Sequence, residues 1–149
     1  MKLANFSGIL CLTLACVFAA EGATKLKLKD LPPAVRKSVE AETANATIIG
    51  IVREIEDGKT IYEVEMKTNG RTRSVDLDPQ GNVLSTEEEV AFESLPAAAQ
   101  AAILKRAAGA KVTRVEKVVA SGRVSYEATL AGKGPQTEFV VGEDGSILK

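Results

Sequence analysis

Acidic side chains are the residues in this sequence whose types and spacing could support chemistry. Glu63 and Glu65 alternate within one apolar segment, and Glu127 follows a tyrosine in a later segment just as Glu63 follows Tyr62. Two neighbouring carboxyl groups can carry out acid–base chemistry when burial separates their pKa values. Alternating glutamates on a strand, however, are more typical of a solvated sheet face. The spacing therefore favours a solvated acidic surface over a catalytic pair.

The rest of the composition removes the usual catalytic and metal chemistry. The sequence has no histidine, and its two cysteines, Cys11 and Cys16, both lie in the N-terminal apolar segment. Serine–histidine and cysteine–histidine catalysis therefore lack a base, and zinc, copper and haem lose their preferred ligands. We expect the mature chain to be no enzyme and to carry no cofactor and no metal.

The segment from Asp76 to Glu87 resembles a calcium-binding loop. Asp76, Asp78 and Glu87 occupy positions one, three and twelve of the EF-hand pattern. An EF-hand needs a helix on each side, whereas the residues that lead to Asp78 alternate as a strand. The second half of the chain has Val140 and Gly142 where the two aspartates would stand. We therefore predict a strand–turn–strand hairpin here.

The N-terminal residues have the pattern of a secretory signal peptide. Lys2 precedes an uncharged apolar run that ends at Ala20, and small residues follow at Gly22 and Ala23. The run is too short to span a membrane, which takes about 20 apolar residues. Residues 1–19 are therefore predicted to be a signal peptide cleaved near residues 19–22, and the protein to be periplasmic or extracellular. A lipid anchor on Cys16 is the alternative.

The charge balance of the remaining chain argues against nucleic acid and membranes as partners. Removing Lys2 from the 19 basic residues leaves 18, against 20 acidic residues, for a net charge of −2. Nucleic-acid binding requires a basic stripe, which this sequence does not have. The sequence also has no tryptophan for base stacking and no second apolar run long enough to span a membrane.

The remaining sequence repeats itself at one constant offset. Residues 24–85 align without a gap on residues 88–149, with 11 identities in 62 positions. The identities fall at predicted caps and turns, as in Leu31-Pro32 and Leu95-Pro96. We therefore predict two tandem repeats, 24–85 and 88–149. The three glutamates at 87–89 are predicted to form a solvated joint between them.

Each repeat is predicted to be one helix followed by four strands. Asp30 and Ser94 are suitable N-caps, and apolar residues recur four apart from Leu31 and from Leu95. Segments of alternating polarity follow, separated by turn signals such as Asp57-Gly58. We predict an α+β fold in which the helices cover one face of an antiparallel meander and leave the other face to solvent.

The strand pattern also assigns side chains to the two faces. If Tyr62, Val64 and Met66 face the helices, the residues between them face away. The same alternation places residues of the neighbouring strands and of the second repeat on this outer face. The candidate partner-binding residues are Ile61, Glu63, Glu65, Asp76, Glu127 and Glu138. We expect an acidic surface with Ile61 exposed on it, which would attract a basic patch on a partner.

The motifs of both repeats resemble those of the PepSY family. The shared pattern is Leu31-Pro32 before a helix, Tyr62-Glu63-Val64 in a strand, and Asp78-Pro79-Gln80-Gly81 at a turn. With its tandem arrangement, the sequence is similar to PepSY-like proteins that are grouped with beta-lactamase-inhibitor folds. The resemblance implies a concave antiparallel sheet, an exported setting and a role in restraining a peptidase or another hydrolase. It implies no catalytic residue.

Two functions remain open at this point. The first is a non-enzymatic binding module whose protein partner, an exported hydrolase or peptidase, docks on the open sheet face. The second is a periplasmic protein that holds a small molecule or an ion between the two repeats, which requires an enclosed pocket with convergent polar groups. An exposed Ile61 among glutamates favours the first.

We predict that the mature protein begins at Ala20 or Ala23 and contains no cysteine. Intact-mass measurement of the protein isolated from its native host tests this, because the two cleavage points give two distinct masses. A retained Met1, or a lipid on Cys16, would contradict the prediction.

Overall fold

Eight strands and two α-helices form the part of the chain that the computed structural model describes, residues 23–132 and 137–148. The helices are α1 (Pro33–Glu42) and α2 (Ala97–Ala107), each preceded by a short 3-10 turn. The strands are β1 (Thr24–Lys25), β2 (Thr47–Glu56), β3 (Lys59–Thr68), β4 (Arg71–Leu77), β5 (Val83–Glu89), β6 (Val112–Ala120), β7 (Arg123–Leu130) and β8 (Glu138–Gly142). The predicted signal peptide, its cleavage point at Ala20 and both cysteines lie outside the described residues.

The eight strands form one antiparallel sheet in which neighbours in sequence are neighbours in space. This confirms an α+β fold built on an antiparallel meander. Three connections are two-residue turns, Asp57-Gly58, Asn69-Gly70 and Ser121-Gly122, in which both residues have positive φ. Such type I′ turns match the twist of paired strands and fix their register. Each turn therefore determines which side chains stand opposite each other across its hairpin.

Both helices pack on the same face of this sheet. Val35 and Val39 of α1 share a core cluster with Tyr62, Val64 and Met66, as the strand alternation predicted. The second cluster joins α2 to β6, β7 and β8 and contains Leu95, Ala99, Ile103, Val115, Tyr126, Ala128, Phe139 and Val141. Directly paired residues point to the same side, and a row of pairs from β4 to β7 connects one cluster to the other. Burial of these apolar side chains holds the helices on the sheet.

The backbone geometry of the first predicted repeat recurs in the second. The Leu26 amide donates a hydrogen bond to the Ile51 carbonyl oxygen at 2.9 Å, and Val90 repeats it with Val115 at 3.0 Å. The strand pairs next to these bonds, and a register irregularity early in β2 and β6, also recur at positions that the sequence alignment makes equivalent. These matches agree with two tandem modules.

Asp30 and Ser94 do not cap the helices, so this prediction is wrong. The residue after each, Leu31 or Leu95, precedes a proline and takes an extended conformation, and the helix begins only beyond it. Asp30 instead closes the preceding 3-10 turn, where its Oδ2 accepts a hydrogen bond from the Lys27 amide at 3.1 Å. The prolines therefore decide where each helix starts.

Strand β5 differs from the prediction at the junction of the repeats. It continues through residues 87–89, so the predicted solvated joint is part of a strand and Glu87 is only 2% exposed. The physical reason is that β5 pairs with β4 on one side and with β6 on the other, which places it inside the sheet. The repeat boundaries, 24–85 and 88–149, stay a prediction.

The second repeat does not reproduce the predicted set of four strands. Within the described residues, its last predicted strand is a single bridge between Val141 and Ile147. Both Ile147 and Leu148 are about half exposed, at 49% and 59%. The segment therefore lacks the burial on both sides that makes β5 a full strand.

We predict that Gly81→Ala destabilises the protein more than Gly70→Ala. Both glycines have a φ of +82°, so both variants incur a left-handed backbone cost of about 1–2 kcal/mol. At position 81 the new Cβ would also lie 2.7 Å from the Ala34 carbonyl oxygen, whereas nothing lies within 4 Å at position 70. Helix α1 must therefore shift only in the first variant. Denaturant unfolding measures both losses.

Gly145→Ala is expected to behave like Gly81→Ala. Its φ is +81°, and its Cβ would lie 2.7 Å from the Ala98 carbonyl oxygen of α2. Equal free-energy losses in all three variants would show that the turns after β4 and β8 do not press on the helices.

Candidate functional site

Carboxyl groups of both repeats meet on the sheet face that carries neither α1 nor α2. Glu63 of β3 is directly paired with Asp76 of β4, and Glu116 of β6 with Glu127 of β7. Glu87 of the intervening β5 points to the same side. We call this surface the carboxylate face. Its central acidic residues are Glu54, Glu63, Glu65, Asp76, Glu87, Glu89, Glu116, Glu127 and Glu138.

Type I′ turns place these groups opposite each other. The turn at Asn69-Gly70 sets Glu63 against Asp76, and the turn at Ser121-Gly122 sets Glu116 against Glu127. Like charges directly opposite on neighbouring strands destabilise a sheet. The fold therefore tolerates an unfavourable arrangement here that a different register would avoid.

All six residues predicted for partner binding lie on the carboxylate face, but the face is not solvated as expected. Ile61 is 5% exposed, Glu63 6%, Asp76 4% and Glu127 8%. Glu65 and Glu138 are half-buried. The prediction that Ile61 and these glutamates are exposed is wrong. The buried residues stand on strands with neighbours on both sides, where the long side chains of adjacent strands cover one another.

Several central residues of the face escaped the sequence analysis. Glu87 was assigned to the joint, and Glu54, Glu116 and Arg114 were not singled out. A signal for Glu116 did exist, because a two-residue turn at Ser121-Gly122 places it opposite Glu127. Hairpin register would therefore have found the pair. Nothing in the local sequence signals that β5 adds Glu87 between the two hairpins.

Glu63 is held in its neutral form. Burial, followed by repulsion from Asp76, Glu54, Glu87 and Glu65, raises the pKa of Glu63 from 4.5 to about 8. The carboxyl group therefore keeps its proton at neutral pH. A buried proton on Glu63 relieves the repulsion that its directly paired neighbour would otherwise cause.

Glu127 repeats this behaviour in the second half of the sheet. Burial, followed by repulsion from Glu87, Glu138 and Glu116, raises the pKa of Glu127 to about 8, and Arg114 acts in the opposite direction. Burial is also the main cause that raises the pKa of Glu116. Glu87 thus acts on the titrating residues of both repeats.

Cationic side chains on this face are fewer than its carboxyl groups. Arg114 Nη2 lies 3.3 Å from Glu116 Oε2. The Ser85 hydroxyl donates a short hydrogen bond to the Asp76 carboxylate. Lys67 and Arg123 stand on the same side but are exposed near the margins. The centre of the face is therefore dominated by carboxyl groups.

The geometry gives no support to a metal centre in the described residues. They contain no group of three or more acidic, histidine or cysteine side chains that could hold a metal ion. Asp78, the third position of the calcium-loop pattern, accepts hydrogen bonds from the Gln80 amide at 2.9 Å and the Asn82 amide at 2.8 Å. The segment is a turn between β4 and β5, as the hairpin prediction stated.

A groove of about 360 Å³ lies between α2, β6 and the end of β5. Its walls include Phe92, Leu104 and Val112, with Glu89 and Arg114 at the polar side. The small-molecule hypothesis requires a ligand between the two repeats. The residues that line this groove, 89–115, all belong to the predicted second repeat, so the groove is not the site that this hypothesis requires.

Sequence comparison connects both halves of the chain to one family. The model of the family described as beta-lactamase-inhibitor-like, PepSY-like matches residues 20–85 and again residues 62–149. No curated protein gives a significant match. None of the helices in the described residues is long and apolar enough to cross a membrane.

Solved structures with a similar fold come from Bacteroides species. A BLIP-like protein from Bacteroides fragilis is 22% identical, with a TM-score of 0.58 over 80% of this chain and 84% of that chain. A protein from Bacteroides eggerthii, described as a candidate periplasmic protein, is 18% identical, with a TM-score of 0.63 over 80% and 86%. A DUF2874 family protein from Bacteroides ovatus is 19% identical, with a TM-score of 0.59 over 80% and 85%. At these identities the likeness is one of fold.

The free energy of unfolding is expected to fall as pH rises from about 5 to about 8. Glu63 and Glu127 keep their protons up to a pKa of about 8 when folded, whereas their ordinary value is 4.5. The folded state therefore binds more protons across this window, and each group contributes a slope of up to about −1.4 kcal/mol per pH unit. Urea unfolding at half-unit steps of pH measures the slope.

Neutral variants provide the control for this pH dependence. Glu63→Gln and Glu127→Gln should flatten the profile and be more stable than the wild type above pH 8. Glu40→Gln, at an exposed position of α1, should leave the profile unchanged. The pKa values of Asp78 and Asp144 are lowered from 3.8, so their titration changes the free energy of unfolding only at more acidic pH, outside this window. A wild-type stability that is constant from pH 5 to 8 would contradict the neutral state of the two glutamates.

Proposed function

The chain belongs to the beta-lactamase-inhibitor-like, PepSY-like family, and we propose that it is an exported, non-enzymatic module that binds a protein partner through the carboxylate face. The observation that carries this proposal is the one-sided packing of the sheet. Both helices cover one face, and the other face collects carboxyl groups from seven strands, β2 to β8. Such a surface has the composition of a recognition site for a cationic partner.

The size of the carboxylate face suits a stable protein complex. The seven strands β2 to β8, spaced about 4.8 Å apart, span about 29 Å, and a strand length of about six residues adds about 20 Å in the other direction. The product, about 580 Å², is close to the roughly 600 Å² that one partner contributes at the lower end of stable interfaces. A protein can therefore dock on this face without help from the helices.

The partner is proposed to be an exported hydrolase or peptidase that presents a basic patch. The inhibitor-like description of the family and the BLIP-like protein that shares the fold support a hydrolase, and the PepSY resemblance adds the peptidase. The basic patch follows from charge complementarity, since carboxyl groups outnumber cationic side chains on this face. Export is supported by the periplasmic description of the protein from Bacteroides eggerthii, and removal of residues 1–19 is proposed from the sequence.

A non-enzymatic role is supported by the chemistry of the side chains. The sequence has no histidine, and the cysteines fall within the predicted signal peptide. Glu63 and Glu127 are 6% and 8% exposed, so a substrate bond cannot come into direct contact with their oxygens, whereas a cation at the surface still acts on them through space. Binding rather than turnover is the use that this surface supports.

We predict that charge reversal on the carboxylate face removes the partner. Glu65→Lys combined with Glu138→Lys changes two half-buried positions on two different repeats. The mature protein, immobilised and exposed to the envelope fraction of its native host, should capture a stoichiometric hydrolase that mass spectrometry identifies. Affinity for that captured protein should fall at least about tenfold in the double variant, or about 1.4 kcal/mol.

The matched control places the same charge change on the other side of the molecule. Glu40 on α1 and Glu88 on β5 are exposed, and Glu88 points away from the carboxylate face. Glu40→Lys with Glu88→Lys should bind like the wild type. If both double variants bind equally well, the carboxylate face is not the interface. Turnover of the captured protein or of its substrate by this chain alone would contradict the non-enzymatic role.

A further inference from the structure

Glu63 and Glu127 occupy equivalent positions in the two repeats, and both are buried beside other carboxyl groups. Each stands on an inner strand with a carboxyl group directly opposite, Asp76 or Glu116. Glu87, on the strand between the two hairpins, faces both of them. The face therefore contains two buried carboxyl groups that are both repelled by Glu87.

The charged groups around each glutamate are mostly acidic. Glu63 is faced by Glu54 from β2, Glu65 from its own strand, Asp76 from β4 and Glu87 from β5. A proton on Glu63 reduces the repulsion between it and these four groups.

One cation opposes the acidic groups around Glu127. Glu127 is faced by Glu87 from β5, Glu116 and Arg114 from β6, and Glu138 from β8. Arg114 is already engaged with Glu116 at 3.3 Å. The burial and the pKa of about 8 are nevertheless similar to those of the first repeat.

A cationic side chain brought onto this face competes with those protons. An opposite charge within about 4–6 Å favours the ionised form of a carboxyl group. Binding and proton loss are then thermodynamically linked. A partner whose binding releases a proton therefore binds more tightly at higher pH. Each proton released raises the affinity up to about tenfold per pH unit while the free protein is still protonated.

We propose, building on the function proposed above, that docking on the carboxylate face is coupled to proton release from Glu63 and Glu127. A lysine or arginine of the partner takes over the neutralising role of the two protons. The complex is therefore stronger in alkaline than in acidic surroundings, and acidification releases the partner. The two repeats contribute one titrating group each, so up to two protons leave per complex.

Calorimetry with a defined cationic probe tests the coupling. The probe is a hexalysine peptide, added to the mature protein at pH 6.5 in two buffers of different ionisation enthalpy, with an acetylated hexalysine as the blank. We expect one to two protons released per bound peptide and an affinity at least about twentyfold higher at pH 7.5 than at pH 6.0. Carboxyl carbon shifts in NMR should show Glu63 and Glu127 titrating at lower pH when the peptide is bound.

Two variants separate this inference from the proposed docking face. Glu63→Gln with Glu127→Gln cannot ionise at these positions, so its affinity for the peptide should stay near that of the wild type at acidic pH, change little with pH and release less than half a proton. Glu40→Gln with Glu88→Gln should release protons like the wild type.

The possible failures are distinguishable. If Glu65→Lys with Glu138→Lys weakens peptide binding but the wild type releases no proton, proton coupling is wrong and the docking face stands. If peptide binding is insensitive to that double variant, the probe docks elsewhere and the coupling is wrong, while the docking face is judged by the affinity of the captured partner for the same variant. A peptide that does not bind at all overturns the coupling, while capture of a native partner remains the separate test of the proposed function.

Discussion

The pairing of β5 with both β4 and β6 is the constraint on which the rest of the structure depends. A repeat of about 60 residues buries too little surface to be more than marginally stable alone. Because β5 hydrogen-bonds to both hairpins, the two repeats form one sheet and their helices lie on one face of it. The same strand then presents Ser85, Glu87 and Glu89 on the opposite face. Joining the repeats and assembling the carboxylate face are thus consequences of a single strand.

The joined sheet carries an electrostatic cost that its apolar side must offset. Glu63 and Asp76 are directly paired and buried, as are Glu116 and Glu127. Ionised groups in such positions repel each other and lose hydration, so some carboxyl groups keep their protons instead. Proteins tolerate unfavourable polar clusters chiefly where the cluster serves a function. The apolar contacts of the two helices supply the stability that allows the cluster to exist.

The sequence predicted those features of the fold that short local patterns determine, namely the hairpin turns and the face on which each strand residue lies. Turn dipeptides fix the hairpins, and alternation places Tyr62, Val64 and Met66 under α1. Alternation tells on which face a side chain lies but not how many strands flank it, so Glu63 was assigned to the right face with the wrong exposure. The three glutamates at 87–89 resemble a solvated linker because nothing local shows that two hairpins will close around them. The late helix starts follow from the prolines, whose effect on the preceding residue outweighed the capping preference.

The two repeats share a backbone but not a pattern of acidic residues. When residues 24–85 are aligned on residues 88–149, Glu54 and Asp76 of the first repeat correspond to valines of the second, whereas Glu116 and Glu138 of the second correspond to Val52 and Ser74. Glu63 and Glu127 are the acidic pair that both repeats place at the same point of the face. A backbone repeat therefore presents a surface without internal symmetry. A partner that reads this surface by charge has one orientation that matches it, which two identical repeats would not provide.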